Sequence, residues 1–220
     1  MVARFKDRTD AGTQLADRVE KLGLIDPVVL ALPRGGVPVA LPVAALLQAP
    51  LDLVLVRKIG APGHEEFAIG AVVDGDEPDV VWNDEAQVQS RLSPHEREKL
   101  VSAKLQEIDA RRSAYLGDRP PVPLKNKDAV LVDDGIATGS TVKAALKALR
   151  RRQPGSITLA VPVAPEDALD SIRPYVDRIV CLSTPFPFFA VGAHYVDFRQ
   201  TSDSAVIEAM AAAKNDQEER

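Results

Sequence analysis

Short apolar runs alternate along the chain with segments whose apolar residues recur every three or four positions. The runs at residues 28–32, 51–56, 129–132, 157–161 and 178–182 are almost continuously apolar, which is typical of strands buried on both faces of a parallel sheet. Segments with helical character lie at 15–22, 37–47, 142–149 and 166–172. This alternation predicts an α/β fold with a central, mostly parallel sheet flanked by helices.

The middle of the chain departs from this alternation. Residues 59–67 contain two glycines and one proline, which predicts a loop, and residues 69–73 and 80–82 predict two short strands. Ser93 and Glu96 have the spacing of a capping box, and Pro94 occupies the first helical position, so a long helix is predicted over 94–116. We interpret this helix as an arm inserted at about residues 91–119.

The bulk properties narrow the class of protein. A chain of 220 residues can bury one full core, so residues 1–220 are interpreted as a single domain, with a charged tail at 211–220 that we expect to fray. The net charge of −5 argues against a broad nucleic-acid-binding surface. The charged first residues do not resemble a signal peptide, and no apolar run reaches the roughly 18 residues of a membrane span. We therefore expect a cytoplasmic protein.

The most informative segment is residues 129–149. An apolar run ends at two adjacent carboxylates, Asp133 and Asp134, and a turn of small and hydroxyl residues leads into a helical pattern. Such a helix N-terminus binds phosphate because its backbone N–H groups are unpaired and its dipole is positive. The hydroxyls of Thr138, Ser140 and Thr141 add donors, while the carboxylates suit ribose hydroxyls or Mg²⁺. Together these features predict a sugar-phosphate site.

Other phosphate-binding motifs fit this segment less well. A Walker A loop requires a lysine after Gly139 and a wider glycine spacing, and a dinucleotide-binding turn requires G-x-G-x-x-G. An ordinary turn between strand and helix leaves the paired carboxylates unexplained. The acid pair of a response regulator would normally lie near the chain start.

Residues 133–141, Asp-Asp-Gly-Ile-Ala-Thr-Gly-Ser-Thr, resemble the phosphoribosyl pyrophosphate (PRPP) signature of type I phosphoribosyltransferases. Residues 5–12 and 57–63 resemble a bacterial group of this family whose substrate is unassigned. The resemblance implies the type I fold, with an inserted helical arm and a small hood. It also implies that Asp133 and Asp134 hold the ribose hydroxyls, directly or through a Mg²⁺ cofactor. The 5-phosphate would then bind the turn formed by Ala137, Thr138, Gly139, Ser140 and Thr141.

A second segment resembles the family's pyrophosphate loop, which often holds a strained or cis peptide. It is Pro33-Arg34-Gly35-Gly36, directly after the first predicted strand. Gly35 and Gly36 present bare N–H groups, and Arg34 is suited to bidentate phosphate binding. The same residue types also form ordinary turns.

Arg57 and Lys58 resemble the basic residues at the base of the family's mobile loop. Residues 59–67 would then close over the reacting centre and exclude water. Lys58 and the loop residues Glu65 and Glu66 are the candidate catalytic residues.

An aromatic, proline-rich segment at 184–197 is the candidate base-binding stretch. Phe188, Phe189 and Tyr195 could form a stacking wall for a planar base, and Asp197 resembles a residue of the 6-oxopurine enzymes. Closure of the hydrophobic core explains the same residues equally well. Ala137 stands where the 6-oxopurine enzymes carry an acid that helps to protonate the base, so another acid or base is needed.

The preferred function is that of an enzyme that uses PRPP and Mg²⁺ to transfer ribose 5-phosphate to a nitrogen nucleophile, expected to be a nucleobase, with release of pyrophosphate. The alternative is a non-catalytic module that senses PRPP or a nucleotide. Expected partners are PRPP and a small-molecule nucleophile, without membrane or nucleic acid. Assembly as a homodimer is left open.

Overall fold

The computed structural model describes residues 5–75, 78–83 and 92–218. Its strands are β1 (Pro27–Ala31), β2 (Leu51–Leu53), β3 (Val56–Ala61), β4 (His64–Val73), β5 (Asp79–Trp82), β6 (Asp128–Val132), β7 (Ser156–Val163) and β8 (Arg178–Ser183). Five of them form a sheet in the order β2-β1-β6-β7-β8. All four pairings in this sheet are parallel, which confirms the α/β prediction.

Helices cover both faces of the parallel sheet. They are α1 (Arg8–Glu20), α2 (Gly36–Leu47), α3 (Pro94–Leu116), α4 (Ser140–Arg151), α5 (Glu166–Ile172) and α6 (Asp203–Glu218). Leu15 of α1 and Val43 of α2 are buried on one face, while Leu146 of α4 and Leu169 of α5 are buried on the other. Among the described helices, none combines the length and apolar character that a membrane span requires.

The strands β3, β4 and β5 form a second, antiparallel sheet, which we call the hood. The predicted loop at 59–67 is therefore wrong, because these residues belong to a hairpin that turns at Pro62 and Gly63. Ile59 and Ile69, one on each strand of the hairpin, are fully buried, and this packing outweighs the local loop propensity. The predicted strand at 51–56 is also divided, since β2 ends at Leu53 and β3 begins at Val56.

The pairing of β1 with β6 aligns two loops at the carboxyl edge of the sheet. Its register runs from Pro27 opposite Asp128 to Ala31 opposite Val132. One residue further on, the N–H of Leu32 donates to the carbonyl oxygen of Val132 at 3.0 Å. The loop at 33–36 therefore emerges directly beside residues 133–141.

Helix α3 has the predicted bounds and the predicted capping box at Ser93. A buried ion-pair network attaches it to the rest of the chain. Arg112 contacts Asp74 Oδ2 at 2.6 Å and Asp52 Oδ1 at 3.4 Å. Asp52 also accepts the N–H of Val122 at 2.8 Å, in the segment that leads back to β6. Since Asp52 and Asp74 are both buried, Arg112 neutralises charge that water cannot reach.

Helix α6 runs through most of the segment for which the sequence predicts a frayed tail. The backbone is helical from Asp203 to Glu218, and Val206 and Met210 are buried in the core. Alanines at 211–213 favour helix continuation, so the structure extends the helix beyond the residues that packing requires.

We predict that Arg112→Met destabilises the fold by about 3–5 kcal/mol, because the buried carboxylate of Asp74 loses its ion-pair partner and Asp52 keeps only Arg119. Chemical denaturation of both proteins gives the free energies of unfolding. Arg173→Met is the matched control, since Arg173 pairs only with the exposed carboxylates of Glu166 and Asp170. The control should leave stability nearly unchanged, and an equal loss in both variants would contradict the prediction.

The same variant has a predicted pH dependence. Burial raises the pKa of Asp74 to about 6, and the charge of Arg112 opposes this rise. A folded pKa above the unfolded value means that protonation stabilises the fold at low pH and that this contribution is lost as pH rises through about 6. Without Arg112 the pKa of Asp74 rises further, so the destabilisation should be smaller at pH 5 than at pH 8.

Candidate active site

Two adjacent carboxylates at the end of β6 form the centre of the candidate site. The backbone N–H of Asp134 donates to Asp133 Oδ1 at 2.9 Å, and Arg8 Nε donates to Asp134 Oδ2 at 2.8 Å. The hydroxyl of Tyr195 donates to the carbonyl oxygen of Asp134 at 2.5 Å. The acid pair, Asp133 and Asp134, is thus fixed by residues from both ends of the chain.

The acid pair carries more negative charge than its surroundings neutralise. Burial, followed by the nearby charge of Asp134, raises the pKa of Asp133 well above its ordinary value. Burial also raises the pKa of Asp134, although the hydrogen bond and charge of Arg8 oppose this. Within the described ranges no cationic side chain hydrogen-bonds to Asp133. A cation or sugar hydroxyls would stabilise its ionised form.

The donor set of the acid pair fits Mg²⁺ brought by a substrate. No group of three or more His, Cys, Asp and Glu side chains in the described residues is arranged to hold a metal ion. Mg²⁺ is commonly bound by one or two carboxylates, while water and substrate phosphates complete its octahedron. Asp133 and Asp134 match that pattern.

The loop at 33–36, which we call the glycine loop, lies against the acid pair. A Cβ atom built on Gly35 would lie 2.0 Å from Asp134 Oδ2, and one on Gly36 would lie 2.7 Å from the carbonyl oxygen of Val132. The peptide bond between Pro33 and Arg34 is cis. Only glycine fits at these two positions, so bare backbone is placed beside the carboxylates.

The turn at 137–141, which we call the phosphate turn, leads from the acid pair into α4 with small residues exposed. Gly139 has φ 73°, a left-handed conformation that favours glycine. Ala137, Thr138 and Ser140 lie in this turn or at the start of α4, which begins at Ser140. The first N–H groups of the helix have no partner within it, so they are available to an anion.

A cavity of about 530 Å³ separates this turn from the hood. Its polar lining consists of three hydroxyl side chains, three lysines and one amide, those of Thr138, Ser140, Thr141, Lys58, Lys143, Lys147 and Asn83. Trp82 adds an indole ring, for which Gly70 leaves room, since a Cβ on Gly70 would lie 2.9 Å from that ring. The cavity suits an anionic ligand with a planar group.

Arg57 and Lys58, predicted to act together, lie on opposite faces of β3. Lys58 lines the cavity, whereas Arg57 Nε lies 3.5 Å from Glu107 Oε2 of α3. Alternation along a strand produces this separation. Arg34 lies on the same side as Arg57, with Nη1 3.7 Å from Asp203 Oδ1.

The aromatic segment at 184–197 is not arranged as one wall. Phe188 stacks on His194 with ring centroids 5.5 Å apart, while Phe189 is 84% exposed. Tyr195 is buried between Phe5 and Phe198, and burial, with the charge of Asp134, raises its pKa. Asp197 is paired with Arg199 at 2.6 Å. The structure brings Tyr195 to the acid pair as a hydrogen-bond donor.

The profile of a known protein family covers most of the chain. The family is described as "Phosphoribosyl transferase domain", and the match extends over residues 8–197. The chain belongs to the phosphoribosyl transferase family. The matched range contains the acid pair, the glycine loop, the phosphate turn and the hood.

Individual relatives agree with this family assignment. Two Mycobacterium tuberculosis proteins, from strains CDC 1551 and H37Rv and each named "Putative phosphoribosyl transferase", are 44% identical over 212 residues, which is 96% of this chain. The chain spans about half the length of these curated relatives, 47%. The crystal structure of TT1426 from Thermus thermophilus is 42% identical, with a TM-score of 0.83, and the match covers 95% of this chain and 98% of that one.

Some site residues of this phosphoribosyl transferase were not found by sequence reasoning. Arg8 and Trp82 belong to no local motif, and Lys143 and Lys147 belong to an ordinary helical pattern. For Arg8 the sequence contains one relevant signal, the resemblance of residues 5–12 to a group of this family. Glu65 and Glu66 lie on β4, but their side chains are outside the described residues, so their roles stay predictions.

We predict unequal stability effects for the two isosteric variants of the acid pair. Asp133→Asn should stabilise the fold by roughly 1–2 kcal/mol, because it removes a buried charge while its side-chain oxygen still accepts the N–H of Asp134. Asp134→Asn should give a smaller gain than Asp133→Asn, because the pKa of Asp134 is also raised but Arg8 loses a charged partner. Denaturant unfolding at pH 7.5 measures both.

The gain from Asp133→Asn should depend on pH. Because the folded pKa of Asp133 is raised, its ionised form destabilises the fold above that pKa. The gain should therefore be present at neutral pH and vanish as pH falls towards the ordinary carboxyl range. A gain that is independent of pH would contradict the assignment.

Proposed function

We propose that this chain transfers the ribose 5-phosphate group of PRPP to a nitrogen nucleophile and releases pyrophosphate. The observation that carries the proposal is the meeting, at one sheet edge, of the acid pair, the glycine loop and the phosphate turn. These elements suit a diol with its metal, a diphosphate and a monophosphate respectively, and PRPP combines all three groups. Membership of the phosphoribosyl transferase family supports PRPP as the donor.

In this proposal the turn at 137–141 binds the 5-phosphate. The N–H groups at the start of α4 and the hydroxyls of Thr138, Ser140 and Thr141 supply donors, and the helix dipole favours the negative charge. Lys143, one turn into α4, lines the same cavity and adds positive charge.

The acid pair would hold the ribose hydroxyls and Mg²⁺. Mg²⁺ would neutralise charge on the diphosphate and so improve it as a leaving group. Arg8 and Tyr195 contribute indirectly, since they fix the side chain and the carbonyl group of Asp134. The carboxylates are thus positioned before the substrate arrives, which lowers the cost of ordering them.

The glycine loop would bind the leaving diphosphate. Arg34 and the amides of Gly35 and Gly36 are its donors, and the close approach of these glycines to the acid pair places the metal and the diphosphate together. The nucleophile's nitrogen forms a bond to C1 of the ribose as the bond from C1 to the diphosphate oxygen breaks. The nitrogen loses its proton, and catalysis consists mainly of positioning and charge stabilisation.

We propose a planar nitrogen heterocycle as the nucleophile. Trp82 supplies a ring in the cavity beside the phosphate turn, and Phe188, which stacks on His194, is the second candidate ring. Ala137 cannot act as an acid or base, so Glu65 or Glu66 of the hood is proposed for that role.

The test is incubation of the protein with PRPP, Mg²⁺ and a panel of purine and pyrimidine bases, with release of pyrophosphate as the readout. We expect release that requires one class of base and is abolished by EDTA. PRPP binding without release across the panel would instead favour the sensing module. Failure to bind PRPP would contradict both functions.

We predict that Lys58→Ala weakens ribose 5-phosphate binding by about tenfold and lowers turnover at limiting PRPP by a similar factor, because Lys58 lines the cavity of the phosphate turn and its charge would act on the monophosphate. Lys125→Ala removes an exposed lysine elsewhere and serves as the control. Steady-state kinetics and calorimetric titration give the two quantities. A loss of turnover with unchanged affinity for ribose 5-phosphate would contradict the prediction and place Lys58 at the diphosphate instead.

A further inference from the structure

Three guanidinium groups from three different elements lie near enough to one carboxylate, on the α3 side of the hood, to act on its charge. Arg34 comes from the glycine loop, Arg57 from β3 and Arg111 from α3, and the carboxylate belongs to Asp203, the first residue of α6. Arg34 Nη1 lies 3.7 Å from Asp203 Oδ1. After the hydrogen bond from Tyr115, the charges of Arg111, Arg34 and Arg57 lower the pKa of Asp203. We call these three arginines the arginine cluster.

The arginine cluster holds more positive charge than its carboxylates neutralise. The carboxylate of Glu107 pairs with two cations. Its Oε2 lies 3.5 Å from Arg57 Nε, and its Oε1 lies 2.6 Å from Lys104 Nζ. In the described parts of the chain no ion pair joins Arg111 to a carboxylate, and its guanidinium lies 5.9 Å from the ring centre of Tyr115. Burial, followed by the charge of Arg111, lowers the pKa of Arg57. The cations therefore repel one another at a site where an anion would relieve the repulsion.

Asp203 is held in this cluster by contacts that a ligand could replace. The hydroxyl of Tyr115 donates to Oδ1 of Asp203, the same oxygen that lies near Arg34. The side chain of Asp203 is 53% exposed, so solvent and solutes reach it. A diphosphate carries several negative charges and more acceptor oxygens than a carboxylate, and it is the better partner for converging guanidinium groups.

We propose that Arg111 of α3 adds a contact to the diphosphate site that the proposed function assigns to Arg34, and that Asp203 occupies this site until a diphosphate displaces it. The proposal deepens the proposed function, on which it rests for the source of the diphosphate. It gives the helix α3 a direct contact with the ligand through Arg111. It also makes the start of α6 a competitor of the substrate.

The frame around the arginine cluster is rigid enough to position it. Arg112, the neighbour of Arg111 in sequence, is fixed by the buried carboxylates of Asp52 and Asp74, and Tyr115, one turn along α3, is also buried. Arg34 lies three residues beyond the end of β1. In the proposal, displacement of Asp203 involves movement at the start of α6.

The test is calorimetric titration of the full chain with inorganic pyrophosphate and, separately, with ribose 5-phosphate, which lacks a diphosphate. Arg111→Met should weaken pyrophosphate binding about tenfold, since one charge-assisted contact is lost. Asp203→Asn should strengthen it about fivefold, since the internal competitor loses its charge. Lys99→Met removes one exposed charge from α3, the helix of Arg111. It should leave the affinity for pyrophosphate unchanged. Ribose 5-phosphate affinity should stay the same in all of these proteins.

Tyr115→Phe is a second test of the competition by Asp203. It removes the hydrogen bond from Tyr115 to Asp203 but keeps the charge of the carboxylate. It should strengthen pyrophosphate binding by a smaller factor than Asp203→Asn, and it decides the matter if the latter fails to fold. Weaker binding by Asp203→Asn would overturn the proposal, because Asp203 would then position Arg34 instead of competing. Unchanged binding by folded Arg111→Met, or no pyrophosphate binding by any of the proteins, would also overturn it.

The outcomes separate this proposal from the proposed function. One outcome is turnover of PRPP together with a pyrophosphate affinity that does not change in the Arg111 and Asp203 variants. It would support the proposed function and overturn the subsite. The expected changes in pyrophosphate binding without PRPP turnover on any base would retain the subsite and overturn the transferase reaction.

Discussion

The parallel pairing of β1 with β6 is the constraint on which the site depends. Its register places Ala31 opposite Val132, so the glycine loop and the acid pair leave the sheet side by side. A slip of one residue would move one loop by about 3.3 Å and reverse the faces of the strand. Gly35 packs so closely against Asp134 that a Cβ at this position would lie 2.0 Å from Oδ2, and this fit would be lost with such a slip.

Most of the parallel sheet could be predicted because its strands are continuous apolar runs, a signal that is local in sequence. The hood could not, since Gly60, Pro62 and Gly63 favour a loop when the neighbouring chain is ignored. The hairpin is stabilised by the burial of Ile59 and Ile69, which depends on α3 and the main sheet. Information of that kind is absent from any short window of sequence.

The candidate site shows the same division between local and long-range signals. The phosphate turn and the acid pair are contiguous in sequence, so their chemistry could be inferred before their geometry was known. Arg8 and Tyr195 reach Asp134 from 126 and 61 positions away, and no motif connects them to it. The aromatic residues near 184–197 predicted stacking from composition, whereas the hydroxyl of Tyr195 is committed to a carbonyl group of the acid pair.

Charge is unbalanced in opposite senses on two sides of the glycine loop. At the acid pair two carboxylates meet one guanidinium, Arg8, whereas in the arginine cluster three cations share Asp203 and part of Glu107. The buried network of Asp52, Asp74, Arg112 and Arg119 is instead closely matched, as a structural network should be. A cation bound to a diphosphate would correct both imbalances at once. The matched charges stabilise the fold, and in the proposed function the unmatched charges are those that the ligand would neutralise.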